Sequence, residues 1–137
     1  MKPVREDRPV TAPARSRPPA WTRWLPAVAI MILIFSLSSI PSPAMPSFGL
    51  WDRVIKKSGH AIGYGLLALA YWYALRWRKR HWKLALGLAI AYAISDEVHQ
   101  AFVAGRHASA LDALLIDGGG ACLALLLARA WRKPSLD

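Results

Sequence analysis

Apolar residues along this chain fall into four long runs, separated by short segments in which prolines and charges gather. From Trp21 to Ile40 the sequence is continuously apolar after Arg23. Twenty residues of helix, rising about 1.5 Å each, cover a hydrocarbon core of about 30 Å. Gly59 to Trp77 predicts a second helix, closed by the basic cluster Arg76, Arg78, Lys79, Arg80 and Lys83. Trp82 to Phe102 predicts a third, although its uninterrupted apolar stretch stops at Ser95 and gives way to the densely polar DEVHQAF. Ser109 to Trp131 predicts a fourth, opened by Ser109 as N-cap with Asp112 at the third helical position, and closed by Arg129, Arg132 and Lys133. The expected fold is all-α, a polytopic bundle of four transmembrane helices spanning about 21–40, 59–77, 82–102 and 109–131.

Outside these runs the pattern changes. Residues 1–20 hold five prolines and four arginines with no apolar periodicity, which reads as a disordered, basic cytoplasmic tail; residues 132–137 form a second, short one. The segment from Pro41 to Ser58 has three prolines and mixed charge, so an exposed connection is expected, with a short interfacial helix around Trp51 to Lys57. A cleaved signal peptide is the alternative for the beginning, with Ser42-Pro43-Ala44 as a small-x-small site. The first apolar run is longer than the roughly 7 to 15 residues usual for such a segment.

Composition agrees with a membrane protein: 55% of the 137 residues are hydrophobic, 19% are charged, and the mean hydropathy is +0.25. The length excludes two sizeable soluble domains. The single cysteine, Cys122, excludes an intramolecular disulfide framework and a cysteine-based zinc site.

The net charge of +10 is explained by where the cations fall. With four spans, both ends and the middle connection share one side, and that side holds fourteen of the eighteen Lys and Arg; the other holds Arg53, Lys56, Lys57 and Arg106. The positive-inside rule places both termini in the cytoplasm of a bacterial inner membrane protein. Trp21, Trp24, Trp77, Trp82 and Trp131 fall near the same inner boundary, as an aromatic belt does. The basic residues flank helix ends and do not interleave with aromatics on a soluble face, so the bilayer is the expected partner and nucleic acid is not.

The remaining polar side chains converge on the opposite, outer side. Lys57, His60 and Tyr64 share a face of the second helix. Asp96, Glu97, His99 and Gln100 end the third, with Asp96, His99 and Gln100 facing together. Arg106, His107, Ser109 and Asp112 follow in the loop and the first turn of the fourth. The apolar part of the third helix covers only about 21 Å, so Asp96 and Glu97 lie within the outer boundary and need partners. Lys57, His60 and Arg106 are the available cations, and Arg106 is suited to bind a carboxylate bidentately. Asp117, more than a turn inside the fourth helix, is expected to face the interior and meet Tyr64 or a serine of the first helix. Gly118, Gly119 and Gly120, like Gly59 and Gly63, read as sites of close helix contact.

Two readings of this cluster stand side by side. In one it is a structural network that fixes helix register, and the chain is a noncatalytic scaffold or partner subunit. In the other it is an outward-facing pocket for a lipid head group or a cell-envelope precursor. There Glu97 or Asp96 acts as general base with His60 or His99, and Arg106 and Lys57 bind phosphate or carboxylate. Enzymatic activity is left open between them. Asp-Glu-x-His-Gln lacks the two-histidine spacing of a zinc helix, and no glycine-rich phosphate loop precedes a Lys, so no metal or cofactor is expected.

Three segments resemble the VanZ-like family of small bacterial membrane proteins, named for a protein associated with teicoplanin resistance. They are Phe35 to Pro41 (FSLSSIP), Lys57 to Leu67 (KSGHAIGYGLL) and Ser95 to Asp112 (SDEVHQAFVAGRHASALD), and their order and spacing are specific in combination. The resemblance implies a helical membrane fold whose characteristic polar positions are Lys57, His60, Tyr64, Asp96, Glu97, Gln100, Arg106 and Asp112. It supplies neither reaction nor substrate. The sequence departs from the family pattern twice. Lys56 stands where an acidic residue is common, and Asp117 follows Asp112 by five residues where the second Asn or Asp usually falls one turn on.

Overall fold

The computed structural model describes residues 19–106 and 108–132. The two predicted tails fall outside these residues except at their inner edges, as does His107. Among the described residues there are four long helices and no strands: α1 (Ala20–Ser38), α2 (Asp52–Ala74), α3 (Trp82–Gln100) and α4 (Ala110–Trp131). Both α1 and α4 are long and apolar enough to cross a membrane.

The second helix differs from its expected limits at both ends. It begins at Asp52 and absorbs the expected interfacial helix, because Asp52 and Lys56 pair across one turn at 2.8 Å and support the charged first turns. It stops at Ala74 in a Schellman-type end, with the Trp77 N–H reaching the Trp72 carbonyl and the Arg76 N–H that of Tyr73. Arg76 and Trp77 both take positive φ there, at 62° and 54°.

The bundle is organised around α2, which touches each of the other three helices. Its closest partner is α4. Ala61 and Gly65 meet Gly120 and Ala124, two small-residue pairs at four-residue spacing, and a Cβ on Gly120 would run into the Ala61 backbone. Of the glycines expected at close helix contacts, Gly120 alone makes one; Gly118 and Gly63 leave ordinary contact distance to Ile90 and Ile34, and Gly59 and Gly119 face open space. On α3 the buried stripe runs through Ala85, Ala89 and Ala93, then continues on the same face, three and seven residues further on, through Asp96 and Gln100. On α4 it runs through Ala113, Asp117, Ala121 and Leu125.

By contrast, α1 fully buries only Ala27, Ile34 and Ser38, half-buries Ile30 and Met31 against the core, and presents most of its other apolar side chains outward. Point contacts secure it: the Tyr92 hydroxyl donates to the Met31 carbonyl at 2.7 Å, and Trp24 meets Tyr71 edge-on. At the tryptophan end of the bundle, Arg132 lies 4.1 Å from the Trp77 ring and Arg129 4.6 Å from that of Trp82. Of the Tyr71–Tyr73 aromatics, the first two are buried and Tyr73 is exposed.

Candidate functional site

The end of the bundle opposite the tryptophans collects the C-termini of α1 and α3, the N-termini of α2 and α4, and two connections that meet where the Ser42 N–H donates to the Ala104 carbonyl. A cavity of about 470 Å³ opens there, lined by charged and polar side chains from α2, α3, α4 and both connections. Lys57, His60, Glu97, Gln100, Arg106, Asp112 and Asp117 reach it. Asp96, His99 and Tyr64 do not line it.

Two polar groups of this end serve the fold. Asp96, buried on the alanine stripe, accepts hydrogen bonds from Ser38 at 2.8 Å and Gln100 at 2.9 Å, joining α3 to α1. His99 lies on another face, stacked on Phe35 and 3.0 Å from the Ser39 hydroxyl. The expected alignment of Asp96 with both His99 and Gln100 therefore holds for Gln100 alone. One residue of helix separates Asp96 from Glu97 by about 100°, which is why the adjacent acids serve different places. Of these two adjacent acids, Glu97 lines the cavity, as does His60, and Asp96 does not.

Arg106 makes no carboxylate pair among the described residues. Its guanidinium donates to the Leu37 carbonyl at 2.9 Å and its Nε to that of Ile40 at 3.2 Å. Both carbonyls lie at the end of α1, where that of Leu37 also accepts the Ile40 N–H at 3.3 Å, and the cation complements the negative end of the helix dipole. Glu97 likewise finds a backbone partner: its Oε2 accepts the Ser109 N–H at 2.6 Å. Ser109 caps α4 by accepting the Asp112 N–H, while Glu97 takes the return position that a capping box assigns to the third residue. Asp112 is thereby released, and its carboxylate pairs with Lys57 at 2.8 Å across 55 residues.

Asp117 meets His60, not Tyr64 or a serine of α1. His60 Nδ1 is 3.4 Å from Asp117 Oδ1, a separation longer than a well-formed hydrogen bond, and that oxygen has no partner in hydrogen-bond geometry. The buried Tyr64 hydroxyl and Asp96 Oδ1 are also without one. At the cavity rim, Lys56 pairs with Asp52, and this bond, helped by the Phe48 N–H, holds the Asp52 carboxyl below its ordinary range. No group of three or more metal-ligating side chains occurs among the described residues.

The turn that carries Asp117 into the site is unusual. From Ala113 to Asp117 the helix is π-wound, within an otherwise α-helical segment. A π turn takes one residue more than an α turn. The fifth residue after Asp112, not the fourth, therefore returns to its face, so Asp112 and Asp117 both reach one cavity.

The polar positions of α2, α3 and the α3–α4 loop thus share one end in the order in which the sequence presents them, and the VanZ/LLP1 family model matches residues 10–132. The chain belongs to the VanZ/LLP1 family. No curated protein and no solved structure matches it. Within the VanZ/LLP1 pattern, the π turn gives a physical account of the five-residue spacing. The other departure, Lys56, is absorbed by Asp52 one turn earlier. Sequence reasoning missed the clasp of Arg106 on α1 and the cap that Glu97 places on α4, because backbone carbonyls and N–H groups carry no residue-specific signal. The place of Asp96 was readable, since i, i+3 spacing from Ala93 puts it on the face of Ala85, Ala89 and Ala93.

Proposed function

We propose that this VanZ/LLP1 protein is a four-span protein of the bacterial inner membrane, with both termini in the cytoplasm, whose outward-facing pocket binds a cell-envelope component. The charge asymmetry along the sequence supports that orientation, because the pocket then opens away from the basic tails. The observation that carries the binding reading is the division of labour at the polar end. The Ser38–Asp96 contact, which lies away from the cavity, holds α1 to α3, whereas Glu97, His60, Asp117, Lys57 and Arg106 border open space. A network serving only to seal the bundle needs no such cavity, and ionisable groups at membrane depth are costly without a use.

Reduced susceptibility to teicoplanin is the cellular effect proposed to follow from this binding. The test is teicoplanin susceptibility of a Gram-positive tester strain expressing wild type or Glu97→Gln, with membrane levels measured in parallel. A Gln carbonyl oxygen can still accept the Ser109 N–H, so the variant is expected to accumulate normally. Protection by wild type and its loss in an equally abundant variant is the expected result. Absence of protection by wild type removes the resistance effect, and equal protection by the variant removes Glu97 from the site.

A further inference from the structure

A second cavity continues from the first. It is a groove of about 340 Å³ between α1 and α2, almost entirely apolar, walled by side chains such as Ile30, Leu33, Leu37, Ile62 and Leu66. Met45, Lys56, His60 and Arg106 line both spaces and so mark the junction between them. Three of these four bear nitrogen donors. Lys56 is balanced by Asp52 and His60 by Asp117, while Arg106 touches only neutral carbonyls, so one positive charge at the junction is left without an acidic partner among the described residues. From Leu37 to Ile30 the groove follows about 10 Å of helix.

We propose that the ligand is an amphiphile with an anionic, phosphate-type head group and one apolar chain. Arg106, Lys56 and His60 hold the phosphate at the junction, the chain lies in the groove between α1 and α2, and the rest of the head group extends toward Glu97. This rests on the binding reading above and specifies its ligand class. Charge complementarity at the junction and continuity of the two cavities select this occupant over a second helix, which would leave the cationic mouth unused. The open face of Gly59 belongs to the same design: it lines the groove, and a Cβ there meets nothing within 4 Å.

The test is native mass spectrometry of the purified full chain with three probes: a lysophosphatidylglycerol, a monoacylglycerol of the same chain, and glycerol phosphate. The lysophospholipid is expected to be retained at least tenfold more than either fragment. Gly59→Leu, which fills the groove at a helical position that accepts Leu, is expected to lower that retention at least fivefold while unfolding temperature is kept. Lys56→Gln is expected to lower it similarly, and it leaves the Arg106 clasp on α1 intact. Equal retention of lysophospholipid and glycerol phosphate, insensitive to Gly59→Leu, overturns the chain-binding proposal and leaves the polar pocket standing. Equal retention of the monoacylglycerol, or indifference to Lys56→Gln, overturns the anion seat. Retention of none of the three overturns both this proposal and the binding reading.

Discussion

The two most apolar helices, α1 and α4, both pack on α2, and they do so by opposite means. Small residues let α4 approach α2 backbone to backbone, at Ala61, Gly65, Gly120 and Ala124, and dispersion over that seam needs no polar help. On the other side α1 meets α2 loosely, through Trp24 and Met31 on Tyr71 and Ile34 beside Gly63. Ser38 on Asp96 and Met31 on Tyr92 tie it to α3, Arg106 grips its end from the following loop, and an apolar groove is left along it. Directional bonds can fix a helix without closing the space beside it; close packing cannot. The tight side brings His60 and Asp117 together just above the seam, and the open side leaves room next to them.

The comparison breaks most directly at Gly120. A leucine there meets the Ala61 backbone, which cannot rotate away, so Gly120→Leu is expected to cost about 3 kcal/mol or more and to remove the protein from the membrane fraction. Gly119→Leu, facing open space one residue earlier, is expected to accumulate like wild type. Quantified membrane levels of the pair decide whether the seam or general helix crowding governs α4.

On the α1 side the expected losses are smaller and come from unpaired polar groups. Asp96→Ala leaves the Ser38 hydroxyl and the Gln100 amide without their buried acceptor, a loss of about 1–3 kcal/mol. Thermal unfolding in detergent should show a lowered midpoint, whereas Glu97→Gln should leave it near wild type. Equal destabilisation by both would mean that the two acids belong to one structural network.

Register along α4 offers a sharper test. Deleting Leu115, an exposed residue of the π turn, is expected to convert that turn to α-helix with Asp112 and Asp117 still on one face. The shortened chain should accumulate and keep the function measured for wild type. Adding one alanine after Leu115 turns the rest of α4 by about 100°, carries Gly120 off its seam, and should abolish accumulation. Equal behaviour of the two variants would show that the π turn carries no register.

Much of this was legible in the sequence because apolar runs and the charges between them report helices directly. The four helices, and the gathering of Lys57, His60, Glu97, Gln100, Arg106 and Asp112 at one end, follow from spacing and order. The start of α2 did not, since Asp-Arg-Val-Ile-Lys-Lys reads as a polar connection when hydropathy alone is weighed, although its Asp52–Lys56 spacing is helical. Nor did the partners of Arg106 and Glu97. Charge matching pairs cations with acids, and here both groups go to backbone atoms exposed at the ends of other helices. The five-residue step from Asp112 to Asp117 was visible as an anomaly, and only the π turn explains it.

The smallest effect is expected at Gly63, on the face of α2 turned toward α1. A Cβ there would stand 3.7 Å from Ile34, ordinary van der Waals contact, where at Gly120 it strikes backbone. Glycine inside a helix is destabilising by roughly 0.5–1 kcal/mol relative to alanine. With no clash to offset that gain, Gly63→Ala should raise the unfolding midpoint slightly, because the loosely packed α1 side has room for a methyl group. A fall of similar size would mean that α1 and α2 are already as closely fitted as α2 and α4, and that the groove between them is narrower in the folded protein than the point contacts of α1 imply.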